Sequence, residues 1–233
     1  VDYAMTQNNF GNAYLILSEI RDKEENLTRA IGVYEEALKI YTVGKYPVDY
    51  AMTQNNLGAA CSALSGIRDK EENLTRAIGV YEEALKIYTA GKYPVDYSMT
   101  QNNLGNAYRI LSEIRDEKEN LTRAIEAYKK SLRVKTADKY PVDYAMIQNN
   151  LGNAYLVLSG VQDSEKNLTK AIRAYEKALK IYTVKKYPEN YAGIQSNLGG
   201  AYRSISEFRD KEKNLIKAVR AYEEALKNRT FKK

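Results

Sequence analysis

The stretch PVDYAMTQNNLGAACSALSGIRDKEENLTRAIGVYEEALKIYTAGKYP, residues 47–94, holds the fold in miniature. Pro47 suits a first helical turn, where its missing N–H would be unbonded anyway. Asp49 follows where a negative charge favours the helix dipole. Tyr50, Leu57, Ala60, Cys61 and Leu64 then recur mainly at steps of three, four and seven, one apolar stripe at helical period. The chain turns at Ile67-Arg68-Asp69. Asp69 with Glu72 three residues on reads as a capping box for a second helix. Leu74, Ala77, Ile78, Tyr81, Ala84, Leu85 and Tyr88 form its apolar stripe, and Glu71, Arg76, Glu82, Glu83 and Lys86 its charged face. With about 18–20 residues each, the rods would be roughly 30 Å long. Strand signals are absent.

This hairpin is one of five. The columns Tyr3, Tyr50, Tyr97, Tyr144, Tyr191 and Asn9, Asn56, Asn103, Asn150, Asn197 both run at a spacing of 47 that never slips. All 21 tyrosines fall into five such columns, so none is left over to mark a separate site. The capping pair recurs as Asp22/Glu25 and Asp116/Glu119, whereas the fourth and fifth units carry Lys166 and Lys213 in place of the glutamate. One hairpin cannot bury both of its stripes, and stacked neighbours make a continuous core. The reading is a single repeat domain over 1–233, with repeats 1–47, 48–94, 95–141, 142–188 and 189–233.

Composition excludes several functions. The chain is 44% hydrophobic and 28% charged, enough for a packed core. It has no apolar run of about 18 residues to span a membrane. Its first residues form no secretory signal, and Val1 in place of a methionine reads as the start of a processed or excised piece. There is no histidine, and Cys61 is the single cysteine, so a disulfide within the chain or a cysteine zinc site cannot form. A reducing, cytoplasmic location is the default. No cofactor, metal or enzymatic role is expected. Glu35 and Glu36 are adjacent solvated acids rather than a catalytic dyad.

In the third unit Gln101-x2-Leu104-Gly105-x2-Tyr108 leads to Ala124-x3-Tyr128 and Pro141. This resembles the tetratricopeptide (TPR) pattern W-x2-L-G-x2-Y…A-x3-F…P. Gln replaces the tryptophan in every unit, Tyr the phenylalanine, and Cys61 a tyrosine. The 47-residue period is 13 longer than the usual 34. Seven of the extra residues lie between Tyr108 and Ala124, enough to lengthen both helices by about one turn. The Tyr-Ala-Met-Thr-Gln-Asn-Asn-Leu-Gly signature is similar to extended arrays found beside effector or NTPase domains in bacterial and archaeal proteins. The resemblance implies an all-α superhelix, a right-handed solenoid, that binds protein or peptide in a concave groove lined by the first helix of each repeat.

The implied groove residues are Met5, Asn8, Asn12, Leu15 and Ile16; Met52, Asn55, Ala59, Ser62 and Ala63; Met99, Asn102, Asn106, Arg109 and Ile110; Met146, Asn149, Asn153, Leu156 and Val157; and Gly193, Ser196, Gly200, Arg203 and Ser204. Methionine adapts to varied apolar partners. Asparagine offers both a donor and an acceptor to a peptide main chain. The Met column could equally pack between repeats, and Gly193 in the fifth unit hints that the groove ends there. The Asn9 column has a second reading, hydrogen bonding to the neighbouring repeat. Structural roles are assigned to Gly11, Gly58, Gly105, Gly152 and Gly199, as close approaches of two helix backbones, and to Ala30, Ala77, Ala124, Ala171 and Ala218. Asn26-Leu27-Thr28 and its copies match a glycosylation sequon but lie near a helix start, and are read as chance matches.

Net charge runs −2, −1, +2, +3 and +4 along the five units. Opposite ends can therefore attract. With no capping helix after Leu226, the expected apolar end face makes a homo-oligomer or filament the alternative function. The basic residues are interspersed with acids, so nucleic acid is not the expected partner.

Overall fold

The computed structural model describes residues 1–229. Among these residues every regular element is a helix, ten in all. They are α1 (Asp2–Leu17), α2 (Lys23–Leu38), α3 (Pro47–Leu64), α4 (Lys70–Ile87), α5 (Pro94–Leu111), α6 (Glu117–Leu132), α7 (Pro141–Ser159), α8 (Ser164–Leu179), α9 (Pro188–Ile205) and α10 (Lys211–Arg229). The fold is the all-α helical-hairpin solenoid expected. The chain divides into two compact units, Val1–Asp116 and Glu117–Lys233, so α1–α5 belong to one and α6–α10 to the other.

In the first unit α1 packs on α2 and α3 on α4, and the hairpins join through α2 on α3 and α4 on α5. In the second unit α6 to α10 each pack on the next helix in turn. Leu27, Leu74 and Leu168 are fully buried, each worth about 1.5–3 kcal/mol. The alanine column is buried throughout.

The glycine column has a different cause from the one expected. A Cβ at Gly58 would lie 2.5 Å from Cε1 of the Tyr81 ring, and one at Gly152 2.6 Å from that of Tyr175. The close neighbour is thus the buried tyrosine of the same hairpin's second helix, not a second backbone.

The helix starts also differ in part. Pro47, Pro94, Pro141 and Pro188 open their helices as expected. The capping boxes do not form at Asp22 and Asp69, whose side chains make no cap hydrogen bond. All five turn aspartates, Asp22, Asp69, Asp116, Asp163 and Asp210, are left-handed, with φ of 44–47°. Aspartate is among the few non-glycine residues that tolerate this region. Instead, Nδ2 of Asn26, Asn73, Asn167 and Asn214 donates to the carbonyl of the residue before the aspartate, at 2.8–3.0 Å. Those asparagines are buried, and three of them are sequon positions, which the folded chain does not present to solvent.

Candidate functional site

In the first unit α1, α3 and α5 lie side by side. Met5, Met52 and Met99 stand exposed on them at one helical register, and Met146 does so on α7 of the second unit. The asparagine three residues further on is elsewhere. Asn8, Asn55 and Asn102 are only 3, 6 and 6% exposed, so the expectation that they face a ligand is corrected. The Thr53 hydroxyl donates to the Asp49 carbonyl at 2.8 Å and reaches Asn8 Oδ1 at 3.2 Å. Thr100 repeats the arrangement with Asp96 and Asn55, at 2.8 and 3.1 Å. A buried amide needs such a partner.

Asn12 and Asn153 are half-buried, and their oxygens are already used. Tyr34 donates to Asn12 at 2.8 Å and Asn56 Nδ2 to the same oxygen at 3.1 Å. Tyr175 and Asn197 hold Asn153 at 2.7 and 3.1 Å. At these two positions, therefore, the Asn9 column bonds the neighbouring repeat. Asn106 is half-buried on α5. Arg109 pairs with Glu113 at 3.2 Å, while Lys70 meets the same carboxylate at 2.9 Å. Lys70 first, and then Arg109, hold the Glu113 carboxyl below its ordinary range. Arg203 is exposed on α9. Glu35 and Glu36 belong to separate ion pairs, with Arg76 and Lys39.

The second unit differs on this face. Gly193 stands at the methionine register and Ile194 at the threonine register. The Ile194 side chain has no hydroxyl, and Asn149 Oδ1 is buried without a partner. A cavity of about 330 Å³ opens there, lined by Met146, Asn149, Tyr182, Glu189, Asn190, Gly193, Ile194 and Asn197. Tyr182, Glu189 and Asn190 are lining residues beyond those expected. The two departures at 193 and 194 are the sequence signal for them.

Cys61 is buried, and loss of hydration pushes its thiol up to about 11, so no thiolate nucleophile is present near neutral pH. Among the described residues no group of three or more acidic, His or Cys side chains could hold a metal, and no helix is long and apolar enough to cross a membrane.

The outer faces of α1 and α10 expose apolar side chains. Leu215 is 38% exposed, where Leu168 at the same register is 2% exposed. An open recess of about 650 Å³ runs along Leu215, Ile216, Val219 and their charged neighbours on α10. Phe10 of α1 is 48% exposed where Leu57 is 3%. The expectation of an apolar end face also drew on residues 230–233, which lie outside the described residues.

No curated protein matches the chain. Residues 152–183 match the family described as Tetratricopeptide repeat. Solved structures share the fold at low identity. MamA is 21% identical, covering 91% of this chain and 94% of that one, with a TM-score of 0.59. BtubC (BKLC) from P. vanneervenii is 20% identical over 97% and 82%, with a TM-score of 0.66. A Podosopora anserina protein with nearly identical TPR-like repeats is 14% identical over 95% and 97%, with a TM-score of 0.58.

Proposed function

Given that the chain is a tetratricopeptide-repeat protein, we propose that it is a non-catalytic scaffold that binds a peptide or protein segment on the exposed face of its first helices. The observation that carries this is the aligned set Met5, Met52 and Met99, continued in the second unit by Met146 beside the cavity at Gly193. Flexible thioethers next to half-buried amides suit an apolar side chain flanked by main-chain polar groups. The five repeats, residues 1–233, are proposed to serve this as one domain, and the location as cytoplasmic. The contacting set is narrower than the asparagine ladder read from the sequence. It keeps the methionines, Arg109 and Arg203, with Asn149 in the cavity beside Met146 and Asn12, Asn106 and Asn153 at its edge.

Panning a random peptide library on the chain tests the proposal. Selected peptides should bind the double variant Met52→Glu, Met99→Glu at least tenfold more weakly. Undiminished binding, or no enriched peptide, would remove the groove reading.

A second reading has an observation of its own. The exposed Leu215 and Val219 of α10 stand at registers that are buried in the earlier hairpins, as at Leu168 and Ile172, and exposed Ile216 lies beside them. Exposed Tyr3 and Phe10 of a second copy would cover them, with the −2 unit meeting the +4 unit. Light scattering across concentration and salt should then show growth that salt weakens and Val219→Glu abolishes. A monomer at every concentration removes this reading.

A further inference from the structure

Where consecutive second helices meet, a pattern of charges repeats and then breaks once. At the first junction Arg76 of α4 pairs with Glu35 of α2. At the second, the Tyr108 hydroxyl donates to Glu82 at 2.7 Å. At the junction of the fourth and fifth hairpins, the Tyr202 hydroxyl donates to Glu176 at 2.8 Å, and Lys217 lies 5.0 Å from the same ring. The preceding second helix thus supplies a carboxylate, which meets a cation of the following second helix at the first junction, where Cys61 holds the tyrosine register, a phenol of the first helix at the second, and a phenol with a cation beside it at the last. In the first and third hairpins that cation has a further acid one turn back, in the pairs Arg29–Glu25 and Arg123–Glu119.

Between α6 and α8 both acids are replaced. The 47-residue register puts Lys129 where Glu35, Glu82 and Glu176 stand, and Lys166 where Glu25 and Glu119 stand. Tyr155 and Lys170 keep their usual places. Lys129 Nζ lies 5.8 Å and Lys170 Nζ 5.0 Å from the Tyr155 ring centre. Among the described residues no ion pair joins Lys129, Lys166 or Lys170, and no hydrogen bond engages the Tyr155 hydroxyl. Burial first, then Lys166 and Lys129, holds the Lys170 ammonium below its ordinary value, with Asp163 acting against them. Glu165, on the same turn, is taken by Arg209 at 3.3 Å. Three ammonium groups and a phenol therefore converge where the other junctions hold a carboxylate, and clustered cations concentrate an anion from solution.

We propose that this junction binds the carboxylate of an acidic peptide segment from a partner, seated as Glu176 is seated against Tyr202 and Lys217. The site goes beyond the groove. Tyr155 follows Met146 by nine residues, two and a half turns, and so projects from the opposite face of α7.

Fluorescein-labelled hexaglutamate, followed by anisotropy on the whole chain, is the probe. Binding should weaken steeply with added salt. Lys129→Glu restores the internal acid and should cut affinity at least tenfold while the thermal midpoint stays level or rises. Lys185→Glu, the same charge change on an exposed loop, should leave affinity within twofold, as should the groove variant Met99→Glu. Equal losses in Lys129→Glu and Lys185→Glu would reduce the effect to net charge and overturn the site. Unchanged binding in Lys129→Glu would do the same. Displacement of the peptide by inorganic phosphate at lower concentrations than acetate needs would overturn the carboxylate assignment.

Discussion

The first-helix faces of the two units are built differently. In the first unit, hydroxyls of Thr53 and Thr100 reach the amides of Asn8 and Asn55, and methionines stand over the turn. In the second, Ile194 and Gly193 take those two places on α9. A branched apolar side chain replaces the hydroxyl, Asn149 is left with an unpartnered oxygen, and a cavity opens beside Met146. The interior network does not vary in this way, since Tyr34–Asn12–Asn56 recurs as Tyr175–Asn153–Asn197. The inner network is thus kept between units, while variation gathers on the turn of the first helix that a ligand can touch.

The greatest loss of stability should be common to both units. Burial raises the phenols of Tyr34 and Tyr81 in the first and of Tyr175 and Tyr202 in the second, and takes Tyr88 to about 12. An unfolded tyrosine ionises at about 10. The folded state therefore holds these protons more tightly. Their contribution to stability is complete below about pH 10 and is lost as pH rises through the folded values. Urea unfolding followed by circular dichroism between pH 7 and 12 should show a falling midpoint only at the alkaline end. A helical fraction that survived there would mean that the two units bury their tyrosines unequally.

Next in size are Gly58→Ala and Gly152→Ala, one in each unit. Each added methyl would meet a tyrosine ring held in the core, and each should cost about 3 kcal/mol in chemical denaturation. A tolerated variant in one unit alone would break the likeness of the two interiors. The contrast between the units appears at the asparagines. Asn55→Ala should cost about 1–2 kcal/mol, because it removes an acceptor in use. Asn149→Ala should change stability by less than about 0.5 kcal/mol, because the oxygen it removes is already orphaned. Equal losses would show that the two faces are energetically alike. The smallest effect is Gly79→Ala. Gly79 meets nothing within 4 Å, and the second unit has Arg173 at that register. Stability should rise by about 0.5–1 kcal/mol.

The helices, their number and the hairpin pairing were legible because period-3.6 stripes and the 47-residue register are local signals. The destination of the asparagines was not. In Gln-Asn-Asn, neighbouring residues point about 100° apart, and both are polar. Which one turns inward shows only in the fold, where Asn8 and Asn55 meet Thr53 and Thr100, 45 residues away in the sequence. The glycine and tyrosine columns were both visible, but only packing shows that they meet. The capping boxes were misplaced because a left-handed aspartate carries no mark in composition. The cavity at Gly193 and the lysine cluster at Tyr155 were present as departures from the repeat. Their meaning required knowing what the undisturbed positions hold.

Within each unit, helices touch only partners one or two places along the chain. Contacts that span so little sequence close short loops, and topologies rich in them fold fast. A hairpin of this kind needs nothing from the far end of the chain to bury its tyrosine against its glycine. As the polypeptide leaves the ribosome, each new first helix finds the preceding second helix already formed, and the core can grow at the pace of synthesis.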